Sequence, residues 1–214
     1  MKTKELFCGT KSFSNVAKEL NFETKTYDND KSLNPDICIN ILDMQNIDYC
    51  NILWCSPPCT TFSVSSIGTH WTGGKGKYIP KSEQCKIGLN ILDKTIKLIS
   101  ISKPKYWFIE NPMGVMRKVI DDIFKKYGVT EYKREDIWYC QYGDNRAKPT
   151  DIWTNVLNWK GKKCKNNNPN CHHERAPRGS RTGTQGLKNA KIRGQIPSKL
   201  FEEIFEVILN ETNL

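Results

Sequence analysis

Strand-forming runs and helical patterns alternate along most of the chain. The runs that predict strands lie at residues 4–8, 23–27, 37–41, 51–54, 106–109, 137–142 and 151–155. Apolar residues at helical spacing predict helices at residues 14–20, 88–102, 115–127 and 198–209. This alternation is typical of crossover helices packed on a parallel sheet. The predicted fold class is therefore a doubly wound, mostly parallel α/β sheet with a small basic insert.

The composition changes near residue 160. Between residues 160 and 194, Lys, Arg, Asn and Gly replace most apolar residues. The chain has 214 residues, enough for one α/β domain with a modest appendage. We therefore expect a main domain over residues 1–159, a basic insert over 160–194, and a C-terminal segment over 195–214 whose helix packs back on the main domain.

The charge balance favours a polyanionic partner. The chain carries 33 Lys and Arg against 23 Asp and Glu, a formal net charge of +10. Nucleic acid is the usual partner of such a protein, so charge favours nucleic-acid binding. A solubility bias, or the Lys- and Asn-rich coding of an AT-rich genome, is the alternative explanation.

The cysteines indicate a reducing environment. The chain has nine of them, an odd number, and its first residues lead straight into a predicted strand without an apolar signal segment. No apolar run approaches the roughly 20 residues that span a bilayer. We therefore expect a cytoplasmic protein without membrane contact, whose thiols are free, catalytic or metal-bound.

A glycine turn after the first strand indicates an adenosyl cofactor. Gly9 would let the backbone approach a ligand, and Asp28, after the second strand, can accept hydrogen bonds from ribose hydroxyls. The turn lacks a full glycine-rich phosphate signature, which disfavours a dinucleotide and leaves S-adenosylmethionine open. A purely structural turn is the alternative.

Two reactive side chains follow predicted strands. Cys59 comes after two prolines, which hold it on rigid backbone at the mouth of the sheet, where ligands bind in open α/β folds. Glu110 ends an apolar strand, where burial would raise its pKa and make it a proton donor. The alternatives are a structural thiol, with Cys55 as a rival nucleophile, and a helix-capping turn at Asn111-Pro112.

In their order along the chain, these motifs resemble the cytosine-5 DNA methyltransferases. The matching segments are Leu-Phe-Cys-Gly at 6–9, Tyr-Asp-Asn-Asp at 27–30, Ser-Pro-Pro-Cys-Thr-Thr-Phe-Ser at 56–63 and Glu-Asn-Pro at 110–112. The resemblance covers residues 4–155 and 193–208, and is greatest to small phage and viral members with a short target-recognition region. The chain departs from the family at Lys11 and Ser12, where more glycine is usual.

The resemblance implies a Rossmann-like enzyme that uses S-adenosylmethionine to methylate carbon 5 of a flipped cytosine. Cys59 would add to carbon 6, while Glu110, next to Asn111, would hydrogen-bond the ring nitrogen and amino group. Asn40 or Asp43 would reach the adenine of the cofactor. The full set of implied cofactor-binding residues is Phe7, Cys8, Gly9, Thr10, Ser12, Asp28, Asn29, Asn40, Ile41, Asp43 and Pro57.

The resemblance weakens in the second half. The family's Gln-Arg-Arg pattern aligns with Arg146, Lys148 and Thr150, so Arg146 and Lys148 become the candidates for holding the flipped base. Residues 65–77 lie where such enzymes carry a loop that closes over DNA, although an ordinary surface loop is the alternative. The expected DNA-contacting residues are Ser63, Lys75, Lys77, Arg175, Arg178, Arg181, Lys191 and Arg193.

A second cofactor site is predicted in the insert. Cys164, Cys171, His172 and His173 are residue types that zinc prefers, and Cys140 could supply a ligand from elsewhere. Zinc would order an insert that is too polar to fold on an apolar core. The alternative is a set of free side chains in a DNA-contacting loop.

The expected partner is double-stranded DNA, bound by a monomer or a homodimer. Three other functions stay open from the sequence. They are a non-catalytic DNA-binding homologue, methylation of the exocyclic amino group of cytosine, and methylation of RNA. An intact Cys59 with Glu110 argues against the first, and a cysteine after the prolines, where aminomethyltransferases have an aromatic residue, argues against the second.

Overall fold

A computed structural model describes residues 1–73, 76–166, 168–174, 187 and 189–212 of the chain. The strands are β1 (Lys2–Leu6), β2 (Glu23–Asp28), β3 (Ile37–Cys38), β4 (Ile52–Cys55), β5 (Trp71–Thr72), β6 (Ile79–Pro80), β7 (Tyr106–Pro112), β8 (Lys133–Trp138) and β9 (Pro149–Thr154). The helices are α1 (Ser12–Glu19), α2 (Ile67–His70), α3 (Glu83–Ser102), α4 (Met116–Lys126), α5 (Ala190–Gly194) and α6 (Ser198–Thr212).

The main sheet has seven strands in the order β3-β2-β1-β4-β7-β9-β8. The first five run parallel, and β9 runs antiparallel to both of its neighbours. The central strand β4, Ile-Leu-Trp-Cys, is buried throughout, because helices cover both faces of a parallel sheet. The predicted fold class, a doubly wound and mostly parallel α/β sheet, is confirmed.

Each face of the sheet has its own apolar core. On one face, α3 and α4 bury residues such as Leu92, Ile96 and Phe124. On the other face, α1 and α6 pack aromatic rings on the sheet: the Phe13 ring lies 5.7 Å from Trp54 and 5.6 Å from Phe201. The predicted closing helix therefore packs on the sheet, while the domain boundaries at 159 and 194 stay predictions.

The prediction of a strand at residues 137–142 is wrong except at residues 137 and 138. Strand β8 lies earlier, at Lys133–Trp138, and Tyr139–Tyr142 form a 3-10 turn. Strand β8 is an edge strand that pairs only with β9 and carries charged residues, so the apolar run used for the prediction did not mark its position. The aromatic residues that suggested a strand are buried in the turn instead.

Two other segments differ from their predictions, one by a shorter strand and one by the presence of regular structure. Strand β3 stops at Cys38, because the Asn40 side chain accepts a hydrogen bond from the Leu42 amide at 3.0 Å and starts a 3-10 turn at Ile41–Asp43. The loop predicted over residues 65–77 contains α2 and part of a small hairpin formed by β5 and β6.

Within the described part of the chain, no helix is both long and apolar enough to cross a membrane.

Candidate active site

The sheet has a point where its strand order reverses. From β1 the chain proceeds outward to β2 and β3, and then returns to place β4 on the other side of β1. In open α/β sheets, ligands bind outside the carboxyl ends of the strands at such a point. The motifs after β1, β4 and β7 all lie at this edge, called here the catalytic edge.

A cavity opens beside the carboxyl end of β1. Its walls are mostly apolar, with polar side chains at one side, as expected of a small-molecule site. Five predicted cofactor-binding residues line it: Phe7, Asp28, Asn29, Asn40 and Ile41. The remaining lining residues are Leu6, Tyr27, Ile39, Met44, Pro58 and Ile91. Sequence reasoning missed these because apolar residues at strand ends look like ordinary core.

The other predicted cofactor residues lie around this cavity without lining it. Pro58 lines the cavity in place of the predicted Pro57, and Asp43 is exposed at the end of the 3-10 turn. Cys8 is buried, and its amide donates to the Tyr27 carbonyl at 3.1 Å. Thr10 and Ser12 share a hydrogen bond of 2.8 Å between their hydroxyls.

The turn after β1 is held in an uncommon backbone conformation. Phe7, Gly9 and Lys11 have φ values of 59°, 46° and 57°, in the left-handed region that favours glycine. The Asp28 carboxylate fixes the turn, because its Oδ2 accepts from the Gly9 amide at 3.1 Å. Its Oδ1 accepts from the Asp30 amide at 3.0 Å. Through these hydrogen bonds Asp28, at the end of β2, holds the turn after β1, and both Asp28 and Phe7 line the cavity.

The segment after β4 carries Cys59 on a firmly held loop. The Cys59 carbonyl accepts from the amides of Phe62 and Ser63, each at 3.0 Å. The Asn111 side chain donates from Nδ2 to the Pro57 carbonyl at 2.9 Å, and Trp71 donates from Nε1 to the Thr61 carbonyl at 2.6 Å. Hydrogen bonds on both sides of Cys59 therefore fix the backbone that carries the thiol.

A close backbone approach locks this loop to the end of β7. The Val115 amide donates to the Phe62 carbonyl at 2.8 Å. A Cβ atom added to Gly114 would lie 2.1 Å from the Phe62 carbonyl oxygen, far inside van der Waals contact. Glycine is thus required here, a requirement that the sequence alone did not reveal.

Glu110 is buried in β7 at the same edge. Its Oε1 accepts a hydrogen bond of 2.9 Å from the hydroxyl of Tyr139, in the turn after β8. Burial raises the pKa of Glu110, with Lys148 and the Tyr139 hydrogen bond opposing the rise. Glu110 is therefore biased toward its protonated form, as a proton donor requires. Tyr139 was missed because it belongs to the apolar run that predicted a strand.

Cys59, Glu110 and Lys148 influence one another electrostatically. The Cys59 residue as a whole is exposed, but its thiol is largely removed from solvent, and this desolvation raises the pKa of the thiol. The Lys148 ammonium opposes the rise, and the Glu110 carboxylate adds to it. Burial lowers the pKa of Lys148, and both Glu110 and Cys59 counteract that effect. A cation is therefore placed where it favours the thiolate form of Cys59.

Arg146 has a different environment from Lys148. Its guanidinium pairs with the Asp144 carboxylate and donates to the carbonyls of Ile192 at 3.0 Å and Gln195 at 2.8 Å. These contacts fasten the segment before α6, so Arg146 acts as a positioning residue in the structure. Its predicted contact with a flipped base stays a prediction. Lys148 donates to the Arg193 carbonyl at 3.2 Å.

The predicted DNA-contacting residues are only partly described. Lys77 and Lys191 are exposed, and Ser63 and Arg193 are half-buried. Desolvation raises the pKa of Cys59, and the charge of Arg193 is among the smaller influences that oppose this rise. Lys75, Arg175, Arg178 and Arg181 lie outside the described residues.

A group of cysteine and histidine side chains lies beside the turn after β8. The ligand atoms of Cys140, Cys164, Cys171 and His173 all lie within 4.8 Å of one another, so this cluster could hold a metal ion. His172, predicted as a ligand, lies outside it: its Nε2 is 3.1 Å from the Asp144 carbonyl oxygen. Cys140 takes its place, because the 3-10 turn at Tyr139–Tyr142 brings this thiol to the insert.

The fold is a doubly wound α/β sheet whose candidate site lies where the strand order reverses. The chain is 27% identical over 169 residues, 73% of this chain and 75% of the relative, to a protein of Frog virus 3 (isolate Goorha) named probable DNA (cytosine-5)-methyltransferase. No family model matches the sequence. The resemblance predicted from the motifs is confirmed by this similarity.

Solved structures support the fold. An E. coli prophage protein named as a DNA modification methyltransferase has a TM-score of 0.50 at 14% identity, over 72% of this chain and 46% of that one. The S. pombe Dnmt2 methyltransferase has a TM-score of 0.49 at 14% identity, over 76% of this chain and 51% of that one. The chain thus spans about half the length of these solved structures. The predicted enzyme class agrees with the name of the Frog virus 3 relative.

Proposed function

We propose that this protein is a DNA (cytosine-5)-methyltransferase that uses S-adenosylmethionine and acts through a covalent bond from Cys59 to the target base. The observation that supports the proposal is the grouping of Glu110, Lys148 and Cys59. The Tyr139 hydroxyl lies 2.9 Å from Glu110, the Lys148 ammonium lies 4.6 Å from the centre of the Tyr139 ring, and both charged groups act on the Cys59 thiol. An exposed thiol beside a buried acid and a buried cation suits nucleophilic attack with proton donation.

The reaction assigns distinct tasks to the two main residues. The Cys59 thiolate adds to carbon 6 of cytosine, while protonated Glu110 donates to the ring nitrogen and so stabilises the electron-rich ring. Carbon 5 becomes nucleophilic and takes the methyl group that bound S-adenosylmethionine supplies. Transfer of the carbon 5 proton to water then re-forms the double bond between carbons 5 and 6 and expels the Cys59 thiolate. The ring nitrogen returns its proton to Glu110, which restores the enzyme.

Asn111 and Tyr139 prepare the site for this reaction. Tyr139 orients Glu110 through its 2.9 Å hydrogen bond. Asn111 fixes the Pro57 carbonyl through Nδ2, while its buried Oδ1 has no hydrogen-bond partner among the described residues. A buried acceptor without a partner is costly, so we propose that the flipped base or the closed loop supplies a donor.

The cavity beside β1 fits S-adenosylmethionine. Asp28 stands at its rim, where a carboxylate can accept from ribose hydroxyls, and Asn40 lies beside the apolar walls that would cover the adenine. Phe7, Ile39 and Ile41 supply those walls. Zinc, in the cluster formed by Cys140, Cys164, Cys171 and His173, is the second proposed cofactor.

Double-stranded DNA is the proposed substrate. The net charge of +10 suits a polyanion, and the exposed Lys77 and Lys191 can contact phosphates. Because the cytosine must reach Cys59, the base would flip out of the duplex into the site. We propose action as a monomer in the cytoplasm of a bacterial or virus-infected cell.

Product analysis tests this proposal. The purified protein is incubated with labelled S-adenosylmethionine and either duplex DNA or RNA, and the digested nucleosides are separated by mass spectrometry. We expect label in 5-methylcytosine from DNA, lost in Cys59→Ala and retained in Cys38→Ala, a second exposed cysteine. Label in N4-methylcytosine, label confined to RNA, or full activity of Cys59→Ala would overturn the proposal.

A further inference from the structure

The cluster in the insert has the dimensions of a tetrahedral metal site. Zn–S bonds of about 2.3 Å in a tetrahedron place sulfurs about 3.8 Å apart. The Cys164 sulfur lies 3.9 Å from the Nδ1 atom of His173, and all four ligand atoms lie within 4.8 Å of one another. A central ion would thus bind all four ligands with only small side-chain movements.

The local backbone brings distant positions into this cluster. The Asn168 amide donates to the Lys165 carbonyl at 3.3 Å, and the Cys171 amide donates to the Asn168 carbonyl at 3.2 Å. These two turns return the chain on itself, so that Cys164 and Cys171 face the Cys140 thiol from the turn after β8. All nine cysteines are free thiols, so no disulfide competes for them.

The ligand types select zinc in a structural role. Three thiolates and one imidazole in a tetrahedron suit zinc, and a site with four protein ligands leaves no open position for a substrate. Side-chain amides lie around the sulfurs: Asn168 donates to Cys164 at 3.4 Å and Gln141 donates to Cys171 at 3.5 Å. Such donors stabilise the negative charge of thiolate ligands.

The cluster joins the insert to the connection between β8 and β9, which carries two residues of the candidate active site. Tyr139, next to Cys140, donates to Glu110, and Lys148 at the other end of the connection opposes the rise in the pKa of Cys59 that desolvation causes. The insert is attached near the middle of the connection as well, where the Glu174 amide donates to the Asn145 carbonyl at 2.8 Å.

We infer that Cys140, Cys164, Cys171 and His173 form a structural zinc site that clamps the insert onto the β8–β9 connection and so onto the wall of the catalytic edge. Ordering an insert with few apolar residues needs a source of free energy other than burial. Metal binding supplies it, because the site exists only in the folded chain.

Metal content tests the ligand set. The full chain is purified under reducing conditions from zinc-supplemented cells, and metals are measured by mass spectrometry. We expect about one zinc per chain. Cys140→Ser, Cys171→Ser and His173→Ala should lose it. His172→Ala is the matched control, since it changes the neighbouring histidine outside the cluster, and should keep the zinc.

Differential alkylation tests the same site without any mutation. N-ethylmaleimide is added to the native protein before and after a strong chelator, and modified cysteines are identified by peptide mass spectrometry. Cys164 and Cys171, though half-buried, should be protected until the metal is removed. Exposed Cys38 should react in both samples, and fully buried Cys55 should react in neither.

The inference and the proposed methylation fail separately, because neither experiment measures methyl transfer. Zinc-free wild-type protein, loss of zinc in His172→Ala, or an iron–sulfur absorption spectrum would overturn the zinc site. A disulfide between Cys164 and Cys171, or unchanged alkylation after chelation, would also overturn it. A smaller effect refines it: Asn168→Ala should lower zinc affinity by about tenfold, as expected for a residue that supports a ligand.

Discussion

The catalytic edge and the insert reach order by opposite means. At the catalytic edge, Cys59 follows β4 and Glu110 lies near the end of β7, both strands being buried between two apolar layers, and backbone hydrogen bonds hold the Cys59 loop. In the first described stretch of the insert, residues 160–166 and 168–174, most side chains are polar and exposed. This stretch makes backbone hydrogen bonds to the β8–β9 connection, and it carries three of the four side chains for which we propose a shared zinc ion.

This contrast has a consequence for function. A packed sheet fixes the positions of the site residues before any ligand binds. We therefore expect the cofactor and DNA to bind to a geometry that is already present. A segment ordered by a metal can be released by removing one ion. The two regions meet at Tyr139 and Lys148, so release of the insert would alter the environment of Glu110 and Cys59 without unfolding the sheet.

The largest expected effect is a loss of kcat in a Glu110 variant whose fold and ligand binding are unchanged. Glu110→Gln should lower kcat by about 10³-fold, because an amide cannot donate a proton to the ring nitrogen. Binding of S-adenosylmethionine and zinc content should be unchanged, since Glu110 lines neither site. Single-turnover methylation, calorimetry and metal analysis measure the three quantities. A variant with near-normal kcat would contradict the role given to Glu110.

The pH dependence should reflect the two opposing proton states. Thiolate formation at Cys59, whose pKa is raised, makes kcat/KM increase with pH. Deprotonation of Glu110, whose pKa is also raised, makes it decrease at higher pH, giving a bell-shaped profile. In Glu110→Gln the decreasing limb should vanish. A decreasing limb that persists in the variant would assign it to another group.

A smaller loss is expected from the backbone contact at the catalytic edge. Gly114→Ala places a Cβ 2.1 Å from the Phe62 carbonyl oxygen and must displace the Cys59 loop. We expect a loss of about 10²-fold in kcat, with destabilisation of about 1–3 kcal/mol. Gly68→Ala, where an added Cβ meets no atom within 4 Å, is the matched control. Equal activity of the two variants would show that the contact is not needed.

Metal removal should affect the insert and spare the sheet. The Trp138 amide donates to the Lys162 carbonyl at 3.0 Å, and the Glu174 amide donates to the Asn145 carbonyl at 2.8 Å. After chelation, hydrogen exchange at these amides should become about tenfold faster or more, because the local structure opens. Exchange within β4 should not change. Uniform acceleration across both regions would contradict the contrast between them.

The smallest expected effect concerns the residue where the regions meet. Lys148→Met removes the cation that opposes the raised pKa of Cys59, so the pKa should rise further. Alkylation of Cys59 by iodoacetamide at neutral pH should then slow by about tenfold. Lys148→Arg keeps the charge and should react nearly as the wild type does. Unchanged alkylation in Lys148→Met would exclude this electrostatic role.

The sequence predicted the sheet better than the segments that connect it. Buried parallel strands such as β4 and β7 have continuous apolar runs, so the strands could be located, together with Cys59 after β4 and Glu110 at the end of the apolar run of β7. Strand β8 was misplaced, because an edge strand needs no apolar run. Cys140 was named from the sequence as a possible further ligand, but the exclusion of His172 from the cluster depends on local backbone geometry that no spacing rule indicates.

Trapping on a fluorinated substrate tests the central claim most directly. Fluorine at carbon 5 of cytosine cannot leave as a proton does, so the final elimination is blocked and the Cys59 adduct persists. The protein is incubated with duplex DNA containing 5-fluorocytosine and S-adenosylmethionine, and its intact mass and modified peptide are determined. The account predicts a protein–DNA adduct mapped to Cys59 and absent in Cys59→Ala, while Cys38→Ala forms it normally. An adduct at another residue, or DNA containing 5-methylcytosine without any trapped adduct on the fluorinated substrate, would contradict it.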